Sequence, residues 1–241
     1  MPRFFIDDRP QGELYTLTGE NAHHAGRVLR PRPGETLTLC DGAGTDFDCT
    51  VEQAEKDEVV CRVQAVHPSE TEPRQDMTLF MALPKGDKMD FIVQKAVECG
   101  ACEVVPFISK RCVSRPDAKQ LAKKTERWQR IAYEAAKQCG RGIIPQVGST
   151  IDISKIPALI SPENTGILFY ECAETPLREA VGEFTRNIDI VIGSEGGFEQ
   201  SEAEKLIAAG LKCASLGKRI LRCETAPIAA ISVLMNMTGN M

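Results

Sequence analysis

The spacing of apolar residues along this chain changes near position 77. Before it, short apolar or alternating runs (R-F-F-I-D, E-L-Y-T-L-T, E-T-L-T-L-C and V-V-C-R-V-Q-A-V) read as strands, with a turn at Asp41-Gly42-Ala43-Gly44 and one helical piece over 20–29. After it, apolar runs at 77–83, 104–108, 166–170, 188–192 and 211–216, with a weaker one at 143–147, alternate with helical patterns. Alternating strands and helices predict a mostly parallel sheet with helices on both faces. Between the two regimes, H-P-S-E-T-E-P-R-Q-D at 67–76 holds two prolines and no apolar residue, so it reads as a linker. The expected organisation is an N-terminal β-rich domain over 1–70 and an α/β domain over 74–241.

The helices carry their own signals. Leu121, Trp128, Ile131 and Ala135 make the buried stripe of an amphipathic helix over 117–141. Ser201-Glu-Ala-Glu204 reads as a capping box for a helix that stops at Gly210, and Thr225 and Pro227 open a last helix. That last helix, 227–237, is apolar nearly all round. It is either a central core helix or one buried against a second subunit.

Two predicted strands end in unusual loops. Residues 188–192 run straight into Gly193, Ser194, Glu195, Gly196 and Gly197. Residues 211–216 run into Gly217 and a charged stretch of Lys218, Arg219, Arg222 and Glu224, with Ile220 and Leu221 among them. Clustered glycines directly after a strand mean a tight turn or a close approach of backbone to something else. Strand-capping glycines would explain one such loop. Two of them, the second with paired arginines, point to a ligand site at the carboxyl edge of the sheet. A-L-P-K-G-D-K-M-D at 82–90 brings Lys85 and Lys88 to the same edge, with Asp87 as helix cap. No Rossmann glycine fingerprint or phosphate-binding P-loop follows any of the strands.

Composition is that of an ordinary globular chain: 241 residues, 42% hydrophobic and 26% charged. No apolar run reaches the roughly 20 residues of a membrane span, and no signal-peptide pattern opens the chain, so a cytoplasmic location is expected. The ten cysteines are scattered, and Cys99-Gly-Ala-Cys102 has no second pair beside it, which predicts reduced thiols and no metal. His23 and His24 are adjacent without a third ligand, and read as a packed and an exposed histidine. The net charge of −5 disguises a local surplus. From Lys110 to Arg141 there are ten basic residues against Asp117, Glu126 and Glu134. Lys119, Lys123, Arg127, Arg130, Lys137 and Arg141 share a helix face, where they are either merely solvated or set to meet a polyanion.

The string G-S-E-G-G-F with Glu202, followed by L-G-K-R-I-L-R-C-E-T-A at 216–226, resembles the signature of the RsmE family. These are ribosomal RNA small-subunit (16S) uridine-N3 methyltransferases of the SPOUT, or α/β-knot, superfamily. Two positions depart from the pattern: Ser194 stands where the family usually has Pro, and Glu199 where Ser or Thr is common. The resemblance implies a PUA-like β-barrel followed by a trefoil-knotted α/β domain, working as a homodimer on ribosomal RNA in the small subunit. It implies S-adenosylmethionine gripped by three loops: Phe169, Tyr170 and Glu171; Gly193, Glu195, Gly196 and Gly197; and Leu216, Gly217, Ile220, Leu221, Arg222, Thr225 and Ala226. H-H-x-x-R-V-L-R at 23–30 and E-A-A-K-Q-C-G-R at 134–141 resemble further family motifs. RNA contacts are thus expected at Arg3, Arg27, Arg30, Lys85, Lys123, Arg127, Arg130, Gln138 and Arg141.

N3 of uridine is mostly protonated at neutral pH, so the enzyme must favour its anion. A guanidinium does so and stays charged. Arg222, closing the motif beside Glu224, is the first candidate, with Arg219 and Glu195 as the other catalytic residues. The rival readings are another SPOUT RNA methyltransferase, acting on ribose 2′-OH or tRNA, and a non-catalytic RNA-binding protein.

Overall fold

Two units make up the chain in the computed structural model, which describes residues 1–181 and 187–241. One comprises Met1–Glu72 with Ala136–Ile144, the other Pro73–Ala135 with Pro145–Met241. The N-terminal unit thus takes in 136–144, which chain order alone assigns to the α/β part.

The N-terminal unit contains β1 (Arg3–Phe5), β2 (Leu14–Leu17), α1 (Gly19–His23), β3 (Thr36–Cys40), β4 (Thr45–Ala54) and β5 (Val59–Pro68). They form one sheet in the order β1-β3-β4-β5-β2, antiparallel except for β1 beside β3. Register breaks at Asp48/Cys49 and Val51/Gln53 curl the long β4–β5 pair. Its apolar face closes over Phe4, Leu17, Leu37, Leu39, Phe47 and Val59. The predicted helical piece is α1 running into a π turn, His24–Leu29, closed by Arg30 N–H donating to Ala25 C=O at 2.7 Å. Gly26 is needed there, because a Cβ would lie 2.0 Å from the Glu55 carbonyl oxygen.

The second unit contains β6 (Met77–Ala82), α2 (Lys88–Glu98), β7 (Glu103–Ile108), α3 (Ala118–Cys139, whose end belongs to the N-terminal unit), β8 (Gln146–Val147), β9 (Ile151–Asp152), α4 (Ile156–Leu159), β10 (Thr165–Phe169), α5 (Leu177–Val181), β11 (Ile188–Ile192), α6 (Gln200–Ala208), β12 (Lys212–Ala214) and α7 (Thr225–Met237). All its strands are parallel, in the order β12-β10-β11-β6-β7-β8, with β9 also on β7. Burial on both faces explains the unbroken apolar runs: every residue of β11 is buried. From the edge strand β12 the chain returns to the middle of the sheet, where α7 packs on α2.

Several boundaries differ from expectation. The capping box of α6 is Glu199 with Glu202, two residues before the one read from Ser201. Thr225 opens α7 as expected, with Glu224 as its N-cap. Of the weak run at 143–147 only Gln146 and Val147 are strand, and 211–216 shortens to β12. The last helix is not a central core helix. Pro227, Ala230, Ile231, Leu234 and Met235 are buried, but Val233 is 44% exposed, as is Phe91 of α2 at 45%. Among the described residues no helix is long and apolar enough to cross a membrane, and no group of ligating side chains could hold a metal ion.

Candidate active site

Parallel strands deliver their carboxyl ends to one edge, and there the loops after β10, β11 and β12 meet. Ser215 N–H donates to Thr175 C=O at 2.9 Å, joining the β12 and β10 loops. The Glu171 carboxylate lies against Gly197, where a Cβ would stand 2.6 Å from its Oε1, joining the β10 and β11 loops. Gly197 has φ +62°, closing a turn in which its N–H donates to Ser194 C=O at 2.9 Å. Behind this turn Phe198 is buried between Phe107 and Tyr170, with ring centroids 6.3 Å from each.

The β11 loop is held from both sides. Lys110 N–H donates to Glu202 at 2.8 Å, its ammonium lies 3.1 Å from Glu199, and Arg111 donates to Gly196 C=O at 3.1 Å. On the other side the Lys88 ammonium sits between two carboxylates, 3.0 Å from Glu195 and 3.1 Å from Glu224. Glu195 also accepts the Lys85 N–H at 3.2 Å, and the Cys223 thiol donates to Glu224 at 3.2 Å.

This network sets the charges. Burial pushes Glu195 up, but hydrogen bonds from backbone N–H groups and Lys88 outweigh it and hold the carboxyl below its usual range. Glu224 falls to about 2, through its own backbone N–H, the Cys223 thiol and Lys88. Burial first, then the Glu224 hydrogen bond, pushes Cys223 up to about 12, so it remains a thiol. Lys88 is raised by Glu195 and then Glu224. A carboxylate with a lowered pKa contributes to stability above its unfolded pKa and loses that contribution as pH falls through the folded one. The network therefore stays charged at neutral pH, and Glu224 lets go only toward pH 2.

Two features of these loops suit a ligand site. Ser194 is buried, and its Oγ has no hydrogen-bond partner among the described residues. Ile220, on the facing loop, is 89% exposed although wholly apolar. Glycine-lined backbone, an orphaned hydroxyl and an uncovered apolar side chain suit a molecule with both a polar edge and a flat apolar face.

A family model described as RNA methyltransferase domain matches residues 71–235, and one described as RNA methyltransferase PUA domain matches 17–64. Ribosomal RNA small subunit methyltransferase E of Bacillus subtilis is 32% identical, over 99% of this chain and 97% of the relative. The chain belongs to the ribosomal RNA small subunit methyltransferase E family. A second member, from Aquifex aeolicus, is also 32% identical, covering 97% of this chain and 98% of its own. The crystal structure of the family's enzyme from Neisseria gonorrhoeae bound to S-adenosyl methionine superposes with a TM-score of 0.87 at 32% identity, covering 98% of this chain and 97% of that one. A methyltransferase from Legionella pneumophila, in complex with the same cofactor, gives 0.83 at 31% identity over 97% and 96%.

The family signature residues fall together at the sheet edge. Phe169 ends β10, Gly193 follows β11, and the N–H groups of Thr225 and Ala226 both donate to Arg222 C=O at 2.9 Å, tying the signature loop to α7. Leu216 and Leu221 are half-buried, while Gly217, Arg219 and Arg222 are exposed. Among the described residues neither arginine forms a salt bridge, and Lys88 holds both Glu195 and Glu224. That pairing was not read from the sequence, where Lys88 was only one of two lysines at the sheet mouth.

The residues expected to meet RNA behave less uniformly. Lys123, Arg130 and Gln138 are exposed, as is Lys85, whose N–H is spent on Glu195. Arg27 pairs with Asp57, Arg30 donates to the Arg27 carbonyl, and Arg3 makes two 2.7 Å hydrogen bonds to buried Asp46. Arg127 pairs with Asp90 of α2, so the basic face does have an acidic partner. Arg141 corrects the expectation outright. It is 4% exposed and clamped on Glu72 at 2.6 Å, a buried ion pair rather than an exposed cation.

Proposed function

We propose that this protein transfers the methyl group of S-adenosylmethionine to N3 of a uridine in small-subunit ribosomal RNA, in the cytoplasm and as a homodimer. The observation that carries the reading is an exposed Arg222 guanidinium at the pocket mouth, while both neighbouring carboxylates are occupied by Lys88. Bound S-adenosylmethionine supplies an electrophilic methyl on a sulfonium, and the transfer needs no metal. The loops after β10, β11 and β12 would hold it, with Ile220 offering exposed apolar surface and Ser194 a hydroxyl without a partner among the described residues. Arg222 stabilises the uridine anion left when the N3 proton passes to solvent. The N3 lone pair then takes the methyl as the methyl's bond to sulfur breaks, the bonding pair staying on sulfur as a neutral thioether. Mass spectrometry of ribosomal RNA from a strain lacking the gene tests this. One 3-methyluridine should vanish and return on complementation; an unchanged set of modified bases refutes it.

The pocket assignment has its own test. Gly197→Val forces a β-branched residue to φ +62° and drives Cβ into Glu171. Strain of about 1–3 kcal/mol in the loop should lower the melt by several degrees, and the displaced loop should weaken S-adenosylmethionine about tenfold or more by titration. Unaltered affinity moves the pocket elsewhere.

RNA binding is read as resting on the exposed lysines and arginines of α3. Neutralising Lys123, Arg127 and Arg130 together should lower the slope of log affinity against log salt by about one to three. An unchanged slope means that the face is only solvated. The dimer is inferred from the apolar surface around Val233 and Phe91. Sedimentation at micromolar concentration should give about twice 26.4 kDa, and a monomer at every concentration would refute it.

A further inference from the structure

Lys88 stands where a helix does not want it. It is the first residue of α2, and the positive end of the helix dipole disfavours a cation there. Its placement is explained by its partners, Glu195 after β11 and Glu224 after β12, at 3.0 and 3.1 Å. Two carboxylates so close to one point would draw in any other cation within reach. Arg222 is two residues from Glu224 along the chain and carries the group best shaped to grip a carboxylate, a planar fork that binds both oxygens. Yet among the described residues Arg222 forms no salt bridge, and the compact ammonium of Lys88 holds both acids.

We propose that Lys88 is a positioning residue for methyl transfer: by neutralising Glu195 and Glu224 it keeps the Arg222 guanidinium off its own neighbours and available to the substrate base. The inference rests on the role given to Arg222 above. Without Lys88 the pocket mouth holds two uncompensated carboxylates. They capture the guanidinium, and they repel the developing uridine anion. Both effects act in the transition state.

Single-turnover methylation of small ribosomal subunits from a strain lacking the gene, with radiolabelled S-adenosylmethionine, tests it on the full-length protein. Lys88→Met should slow the reaction about tenfold or more, less than the hundredfold scale of losing an anion-stabilising group outright. Melting temperature should fall, because two partly buried carboxylates lose their partner, so rates are compared on folded protein at saturating cofactor, where Lys88→Arg should keep most of the rate. The distinguishing variant is Lys88→Met with Glu224→Gln, which removes a competing carboxylate and should win back a large part of the loss. A purely structural lysine predicts no such rescue. The proposal is overturned if Lys88→Met reacts at the wild-type rate, if Glu224→Gln restores nothing, or if saturating cofactor alone restores the rate. Product analysis of the wild-type reaction keeps the two claims apart. Methylation at an atom other than uridine N3 defeats the functional reading, while the rate ratios still decide the role of Lys88.

Discussion

Replacing Arg222 with alanine should lower the single-turnover methylation rate by about a hundredfold or more, the scale set by removing one donor that stabilises a developing anion. The guanidinium is exposed and forms no salt bridge among the described residues, so the fold loses little when it goes. The backbone of residue 222 remains, and with it the carbonyl that accepts from Thr225 and Ala226. S-adenosylmethionine affinity and the melt should thus stay near wild type. The competing account, in which Arg222 merely pins the loop through Glu195 or Glu224, conflicts with both acids being held by Lys88. It predicts early melting and weak cofactor binding together, both partly restored by Arg222→Lys. A variant that melts early and binds cofactor poorly, yet methylates normally at saturating cofactor, would end the catalytic assignment.

Arg141→Ala should cost stability rather than RNA affinity, as should Arg3→Ala, which strands Asp46. Glu72 accepts from Arg141 Nη2 at 2.6 Å and Nε at 3.2 Å, and from the N–H groups of Gly142 and Ile143 at 2.8 and 3.1 Å. Removing the guanidinium leaves a carboxylate that is only 14% exposed with no cation among the described residues, held by the two backbone N–H groups alone. Breaking such a pair from one side costs about 3–5 kcal/mol. Arg141→Lys should recover little, since an ammonium cannot make the paired contact. The salt dependence of RNA binding should not change. A normal denaturation midpoint with a reduced salt slope would return Arg141 to the RNA-binding surface.

What could be read from the chain follows from which interactions leave a local trace. Parallel strands buried on both faces produce unbroken apolar runs, so β6, β7, β10 and β11 were recognisable within a residue or two. Gly197 was recognisable because a positive φ demands glycine. Partners on other elements leave no such trace. Lys85 and Glu195 are 110 residues apart in sequence, and nothing near Lys88 announces two distant carboxylates. Arg127 sits on a basic helical face, and its acid, Asp90, comes from α2. The capping box of α6 was placed late because Ser201 is the better capping type by propensity. Glu199 prevails because its carboxylate is also fixed by Lys110.

The strand order also dictates a sequence of events during synthesis. β6 pairs on one side with β7, made soon after it, and on the other with β11, which ends at Ile192. The N-terminal unit needs residues up to Ile144. A chain emerging from the ribosome therefore completes its first unit only after starting the second, and the centre of the parallel sheet stays open until most of the polypeptide is out. Such non-local pairing is slow and leaves apolar strand faces uncovered meanwhile. Truncated nascent chains ending before β11 should consequently engage chaperones, and those ending after α7 should release them.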